Sequence, residues 1–586
     1  GEPVAFVVAD TLQQAQDAAE LIELDYDELP AHMELCAGGE TIHPEAPDNR
    51  AYDFGLGDEE ATKAAFDAAA DVVRLDVGDN RIIVNAMEPR GCYAEYEDGR
   101  IHLAFNGQGV WGMKGELART FKVDPETIRV TNPDVGGGFG MKAAPYPEYF
   151  CAVFAARALG RPVRWMSDRT EAMLSDHAGR DLVTMAELAF DKNHKILAYR
   201  VHTISNLGVY NSQYGQPIQS KLFARVLTGT YDIPTAWMRV EGIYTNTTQV
   251  DAYRGAGRPE AIYVLERVMD RAARQLGIDT LELKKINFIK QFPYTTVSGE
   301  NYDVGDFPRV LDHAVADSDW AGFEARKAAS EKAGKLRGRG LCYYIESILG
   351  NPYEDVKVEF TEDGGAVIYV GTQSGGQGHE TVFAKFLSDQ TGIPFETIEV
   401  VQGDSDRIAE GGGTGGSRSV TVQATVTLKA VANMIEGFSD FLADEMGVDR
   451  AEISFDDERF RADGSNMTPT MLEVAALARE KGREDLLTWA ARDEIAARSY
   501  PNGAHVAEVE IDTDTGVTEV VKYTVVDDFG NLINPMLAEG QVHGGVAQGI
   551  GQAITERVVF DEDGQLLTAT FMDYALPRAT DMPWIA

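Results

Sequence analysis

The run Asn132-Pro133-Asp134-Val135-Gly136-Gly137-Gly138-Phe139-Gly140-Met141-Lys142 constrains this chain more than any other stretch. Ile128-Arg129-Val130-Thr131 reads as a strand leading straight into it. Four glycines in five positions open backbone conformations closed to residues with a Cβ, and they let a ligand approach the main chain. Successive bare N–H groups in such a loop form an anion-binding concavity. The loop lacks the Gly-x-x-x-x-Gly-Lys-Ser/Thr phosphate cradle and the full Gly-x-Gly-x-x-Gly dinucleotide fingerprint. Taken alone it is also consistent with a tight strand-to-helix turn.

The chain builds this device twice. Gln108-Gly109, an amphipathic helix, the strand Glu126-Thr127-Ile128-Arg129-Val130 and Gly136-Gly137-Gly138 follow one another. Later come Gln377-Gly378, another amphipathic helix, Glu396-Thr397-Ile398-Glu399-Val400 and Gly411-Gly412-Gly413. Each half presents a glutamine at a helix start and a glycine loop after a strand. Helix N-termini carry free N–H groups and partial positive charge, so two such units face to face would enclose a long polyanion. The second loop continues Thr414-Gly415-Gly416-Ser417-Arg418-Ser419, adding hydroxyl donors and an arginine that could bind phosphate. A third glycine-rich element, Gly540-Gln541-Val542-His543-Gly544-Gly545, is expected to open a helix running through Ala553. Between the loops, Asp251-Ala252-Tyr253-Arg254-Gly255-Ala256-Gly257-Arg258-Pro259-Glu260 sets Arg254 among small neighbours, free for a ligand or ion-paired to Glu260 or Asp251.

Composition narrows the partners. The 586 residues allow about four domains by length. A formal net charge of −41 repels nucleic acid and anionic membranes. Cys36, Cys92, Cys151 and Cys342 are scattered, which suits a reduced compartment and argues against an iron–sulfur or zinc site in this chain. No stretch is apolar for long enough to span a bilayer, and a cytoplasmic location without a signal peptide is expected. Both ends look cut, so the chain reads as a fragment of a longer polypeptide.

Periodicity predicts a small β-α-β unit at the start, with strands at Val4–Val8 and Leu24–Tyr26 around a helix behind Thr11. Loop follows from Cys36 to Gly57, then a short helix from Glu59 to Ala70. Strands are expected at Val72–Val77, Arg81–Val84, Tyr93–Tyr96 and Ile101–Phe105, and helices at Gln108–Phe121, Pro147–Leu159 and Ala261–Leu276. A boundary falls near Lys335, and a hairpin turns at Asp363-Gly364. The class is α+β with mixed sheets.

Gly-Gly-Gly-Phe-Gly, Ala-Tyr-Arg-Gly-Ala-Gly-Arg-Pro-Glu, Gly-Gln-Gly-His-Glu-Thr and Gly-Gln-Val-His-Gly, in this order, resemble the molybdopterin-binding large subunit of the molybdenum hydroxylases, the xanthine dehydrogenase and aerobic carbon monoxide dehydrogenase superfamily. The likeness covers nearly the whole chain. It implies the end of an α/β hammerhead domain with linker at residues 1–57, then two molybdopterin-binding domains at 58–330 and 331–586. It implies a molybdopterin cytosine dinucleotide whose dithiolene holds molybdenum, with no protein metal ligands. Gln108 would hydrogen-bond an oxo ligand, and Gly138, Phe139 and Gly140 would line the metal site. Arg254, with Gly255 and Ala256, would sit beside it. Gly376, Gln377, Gly378, Thr414, Gly416, Ser417, Ser419 and Gln541 would hold the pterin and its phosphates.

The general-base glutamate of the family belongs to a Gly-Glu motif with no match here and is expected beyond residue 586. Carbon monoxide dehydrogenases proper place Cys-Ser-Phe-Arg where this chain has Gly255-Ala256-Gly257-Arg258, so no copper site is expected. Purine oxidisers have a glutamate at the position of Ala143 and a bulky aromatic at that of Ala256. The resemblance thus implies an aldehyde or N-heterocycle as the small-molecule substrate, or membership of the carbon monoxide dehydrogenase-like group. It also implies an iron–sulfur small subunit carrying 2Fe-2S clusters and an FAD-binding medium subunit. The rival readings are a non-redox nucleotide- or phosphate-binding protein and an inactive structural paralogue.

Overall fold

The computed structural model describes residues 2–586; Gly1 lies outside them. Its frame is a pair of four-stranded sheets of one design. The first has the order Ile128–Thr131, Arg100–Phe105, Gly91–Glu97, Val163–Met166. The second has the order Ile398–Val401, Ala366–Val370, Tyr353–Phe360, Thr488–Glu494. In each, an antiparallel hairpin is extended by a parallel strand reached through a crossover helix, Val110–Phe121 in one and His379–Thr391 in the other. The matched Glu-Thr-Ile segments occupy equivalent places, with Ile101 opposite Ile128 and Ala366 opposite Ile398. Alternation sets which face is buried: every second residue of Tyr353–Phe360 is buried, ending at Val356, Val358 and Phe360.

The two frames touch directly. Asn132 N–H donates to the Gly403 carbonyl at 2.7 Å, Ser405 N–H to that of Val130 at 3.0 Å, and Arg129 forks onto both oxygens of Asp404. Two further sheets flank them. One has the order Arg50–Gly57, Ala236–Tyr244, Ile196–Gly208, Leu182–Phe190, Asp71–Asp79; the other is Lys335–Ile345, Asn502–Asp512, Thr518–Asp528. The helix Arg258–Leu276 packs against the five-stranded sheet, and Phe307–Asp317 packs on the three-stranded one. One hydrophobic core runs from Val73 and Phe190 through Val268 to Tyr343, Ile345, Ala504 and Val506, so it draws on both halves of the sequence.

Several expected elements are present. Pro147–Leu159 is a helix ended by Gly160 at φ +62°, and Thr11 caps Leu12–Glu20 with a reciprocal bond to Gln14. The hairpin closes at Asp363-Gly364 between Phe360 and Ala366. Three local readings are corrected. Val4–Val8 and Leu24–Tyr26 form no strands, because no strand among the described residues pairs with them; Val4, Leu24 and Tyr26 are exposed. Residues 50–57 are not loop but an edge strand, held antiparallel to Ala236–Tyr244, a partner nearly two hundred residues away. The helix bearing Gln541 opens at Pro535 rather than at Gly540, with Asn534 capping the Leu537 N–H.

Candidate functional site

The two glycine-rich loops meet, and Gln108 clasps them. Its Oε1 accepts from the Gly140 N–H at 2.8 Å, and its Nε2 donates to the Thr414 carbonyl at 2.8 Å. The Thr414 N–H donates back to the Gln108 carbonyl at 2.7 Å. A second contact runs from the Gly137 N–H to the Gly375 carbonyl at 3.1 Å. Glycine is required where the chains cross. A Cβ on Gly413 would stand 2.3 Å from the Gln108 carbonyl oxygen, and one on Gly138 would stand 2.7 Å from Gln108 Oε1. Gly413 also holds φ at +61°.

A cavity of about 1880 Å³ opens beside this junction. Its wall includes Arg254, Gly255, Gln377, Thr414, Ser417, Ser419 and Gln541. Gln108, Gly138, Phe139, Gly140, Ala256, Gly376, Gly378 and Gly416 do not form the wall; they lie in the loops that carry it. Two helices begin on the cavity, His379–Thr391 and the 28-residue Ser419–Met446. Their first N–H groups have no intrahelical acceptor and bring partial positive charge to one space. The main-chain N–H groups of Gly138, Phe139, Gly415 and Gly416 donate to no group among the described residues. This donor set, with its bare glycine surfaces, fits an extended anionic ligand such as a pterin dinucleotide, held away from the carboxylates of Glu266, Glu346, Asp527 and Asp528 that also line the wall.

Arg254 is half-buried, and burial lowers its pKa from the usual guanidinium value. It makes neither expected ion pair, since Glu260 binds Arg180 at 3.1 Å and Asp251 faces His177 at 3.4 Å. Instead its guanidinium donates to the carbonyls of Gly544 at 3.0 Å and Gln541 at 3.3 Å, and lies over the Phe139 ring at 5.3 Å. Its own N–H donates to the Phe139 carbonyl at 2.9 Å. The third glycine-rich element therefore serves this arginine: a Cβ on Gly544 would come within 3.2 Å of it. Phe139 and Ala256 both hold positive φ, +55° and +44°, strain that the loop contacts sustain.

Arg418 does not face the cavity. It is buried, donating to the carbonyls of Asn351 at 2.8 Å, Gly413 at 3.1 Å and Tyr353 at 2.7 Å, and pairing with Glu354 at 2.9 Å. Turning outward would strand the buried Glu354 carboxylate at a cost of about 3–5 kcal/mol, more than a phosphate contact would return. Its work is to hold the loop. The hydroxyls of Thr414 and Ser419 are 2.9 Å apart, and Ser417 Oγ donates to Glu346 at 3.2 Å. Two buried groups next to the loops were given no role from sequence. Lys142 Nζ has no hydrogen-bond partner and lies 3.8 Å from Glu88; burial pushes its pKa down to about 8. His379 is buried beside Gln377, and burial pushes its pKa down to about 4. Their only sequence signal was position, Lys142 closing the first glycine run and His379 standing in Gly376-Gln377-Gly378-His379. Among the described residues no group of His, Cys, Asp and Glu is arranged to hold a metal ion.

Comparison with known proteins agrees with this geometry. Residues 42–288 and 313–583 match two molybdopterin cofactor-binding domain families. The chain is 32% identical to the carbon monoxide dehydrogenase large chain of Hydrogenophaga pseudoflava, covering 99% of this chain and 78% of the relative. It is also 32% identical to the nicotine 6-hydroxylase large subunit of Paenarthrobacter nicotinovorans, covering 100% and 74%. The quinoline 2-oxidoreductase from Pseudomonas putida 86 superposes with a TM-score of 0.92 at 30% identity, over 98% of this chain and 77% of that one. The chain thus belongs to the molybdenum hydroxylase large-subunit superfamily, the molybdopterin-binding catalytic subunits of oxidoreductases.

Proposed function

We propose that this subunit oxidises an aldehyde or an N-heterocycle, or acts as a member of the carbon monoxide dehydrogenase-like group, with a molybdopterin cytosine dinucleotide in the cavity beside the clasped loops. The observation that carries this reading is the Gln108 clasp. It ties two motifs separated by hundreds of residues into one junction beside the cavity, where loop N–H groups left without a partner are those a polyanion would use. When bound, the pterin-held molybdenum supplies the two-electron oxidation and the activated water oxygen.

The chain's own residues then have defined tasks. Gln377, Thr414, Gly416, Ser417, Ser419 and Gln541, with Gly376 and Gly378, seat the pterin and its phosphates. Gln108, Gly138, Phe139 and Gly140 form the floor at the metal end, with Gly255 and Ala256 beside it. Arg254, fixed over Phe139, orients a polar substrate. The positions Gly255-Ala256-Gly257 carry no cysteine, which favours organic substrates over a copper-dependent reaction. The relatives that oxidise nicotine and quinoline support the N-heterocycle reading.

Electrons leave through partners: an iron–sulfur subunit with 2Fe-2S clusters and an FAD-binding subunit, in a cytoplasmic complex. We place a domain division at 330/331, with the helix Phe307–Asp317 leaning back onto the later sheet, and an earlier one ahead of the edge strand Arg50–Gly57, which belongs to the five-stranded sheet.

The test is purification of the full-length complex, metal and released-nucleotide analysis, and dye reduction with a panel of aldehydes, N-heterocycles and carbon monoxide. Molybdenum with a cytosine nucleotide, and turnover of an organic substrate, is the expected result. Protein free of both molybdenum and pterin would refute it, and turnover of carbon monoxide alone would reassign the substrate.

A further inference from the structure

We propose that His379 is a positioning residue: its imidazole fixes the amide orientation of Gln377 and so holds Gly375 against the first glycine loop, shaping the seat of the anionic cofactor. The proposal rests on the reading of this cavity as the pterin site, but the network it describes lies wholly within the protein.

The geometry leaves one hydrogen-bond pattern. The Gly375 N–H points at Gln377 Oε1 at 2.6 Å. An N–H requires an acceptor, so the carboxamide must turn its oxygen to Gly375 and its NH₂ the other way. That NH₂ meets His379 Nε2 at 3.1 Å. The ring nitrogen must therefore accept, and the imidazole is neutral with its hydrogen on Nδ1. An Nε2–H would face an NH₂, donor against donor. Flipping the amide to relieve that clash would turn the NH₂ onto the Gly375 N–H. The Gly375 carbonyl in turn accepts from the Gly137 N–H at 3.1 Å. One imidazole lone pair thus decides a chain of bonds ending in the other glycine loop.

The surroundings hold the ring in that state. His379 is 2% exposed and packs on Phe383, with ring centroids 5.0 Å apart. Burial opposes its protonation. Its Nδ1 has no hydrogen-bond partner. A buried polar atom left in that condition opposes stability, so a phenyl ring would suit the pocket better unless the Nε2 lone pair has work to do. Gly378, at φ +81°, sets the ring's place at the head of the helix; a Cβ there would press on Leu537 Cδ1 at 3.0 Å.

The test compares His379→Gln with His379→Met. The two side chains are of similar length and volume, but only glutamine carries a carbonyl acceptor. The first readout needs no cofactor: amide hydrogen exchange of the segments around 134–140 and 373–378 in cofactor-free protein. Exchange is expected to rise about five- to tenfold in the Met variant and to stay within about twofold of the parent in the Gln variant, as loss of one hydrogen bond dictates. The second readout is molybdenum and pterin per chain in the complex, expected to fall only in the Met variant. Equal exchange in the two variants would overturn the proposal. Should the parent contain no pterin, the cofactor reading fails while the exchange comparison still decides the role of His379. Should the Met variant not fold, His379→Phe replaces it, keeping the ring contact with Phe383 and removing only the acceptor.

Discussion

A few side chains here are held by several bonds at once, and their replacement tests function and stability separately. Gln108 is the clearest case, since its amide joins Gly140 to Thr414. Gln108→Ala leaves an N–H and a carbonyl unpaired, which costs about 1–3 kcal/mol of stability. It also unclasps the two glycine loops beside the cavity, so kcat/KM is expected to fall further than the melting shift accounts for. Parallel losses of stability and turnover would speak against a role in the reaction.

Glu556 offers a pH test. Burial pushes its pKa up to about 7, and Tyr574 donates its hydroxyl to it at 2.5 Å. The folded protein therefore binds this proton more tightly than the unfolded chain does. Its stabilising contribution is whole below the ordinary carboxylate pKa and is lost as pH rises through about 7. Glu556→Gln keeps an acceptor for Tyr574 and is expected to raise stability by up to ~3 kcal/mol at pH 8, with little effect near pH 4. Denaturant melts at both pH values check this; a pH-independent difference would show that the carboxyl is not titrating as described.

Among elements, the second glycine loop shows how position divides glycines of one motif. At Gly413 a Cβ collides with the Gln108 carbonyl and φ is positive, whereas at Gly415 nothing lies within 4 Å. Gly413→Ala should cost about 2 kcal/mol or more and release the cofactor, while Gly415→Ala should stay within about 0.5 kcal/mol of the parent in a thermal melt. Similar melts for both would mean that the loops are not tightly joined. The motif was legible in sequence because glycine spacing is a local property. The inward turn of Arg418 was not, because the buried Glu354 that captures it lies on a strand 64 residues earlier in the chain. The start of the helix at Pro535 was written in Asn534-Pro535, but the later glycines masked it.

As a whole the molecule is two copies of one strand–helix–strand frame joined edge to edge, with shared cores. Val367, Val401 and Ile408 pack among Ile82, Leu103 and Val130, and the buried carboxylate of Glu266 accepts from the Tyr343 N–H at 2.7 Å and from Lys284 Nζ at 2.6 Å. Two of the three large cores draw on both halves, while the third, from Val356 to Leu487, lies wholly in the second. Calorimetry is therefore expected to show one main cooperative transition, with calorimetric and van't Hoff enthalpies in agreement. Two resolved transitions assigned to residues before and after about 330 would contradict it.

The sequence by itself determined the repeated frame, several of the helices and the identity of the loops, because periodicity, capping residues and glycine runs act over a few neighbours; the longest helix, Ser419–Met446, was not among them. It also carried the family motifs. Tertiary structure alone decided that Arg50–Gly57 is a strand, that Val4–Val8 is not, that Arg254 serves a helix carbonyl rather than a carboxylate, and that His379 governs Gln377. Each of these outcomes depends on a partner brought close only by folding. A hydrogen bond or a buried charge is satisfied by whatever lies within about 3 Å, and chain distance carries no record of that.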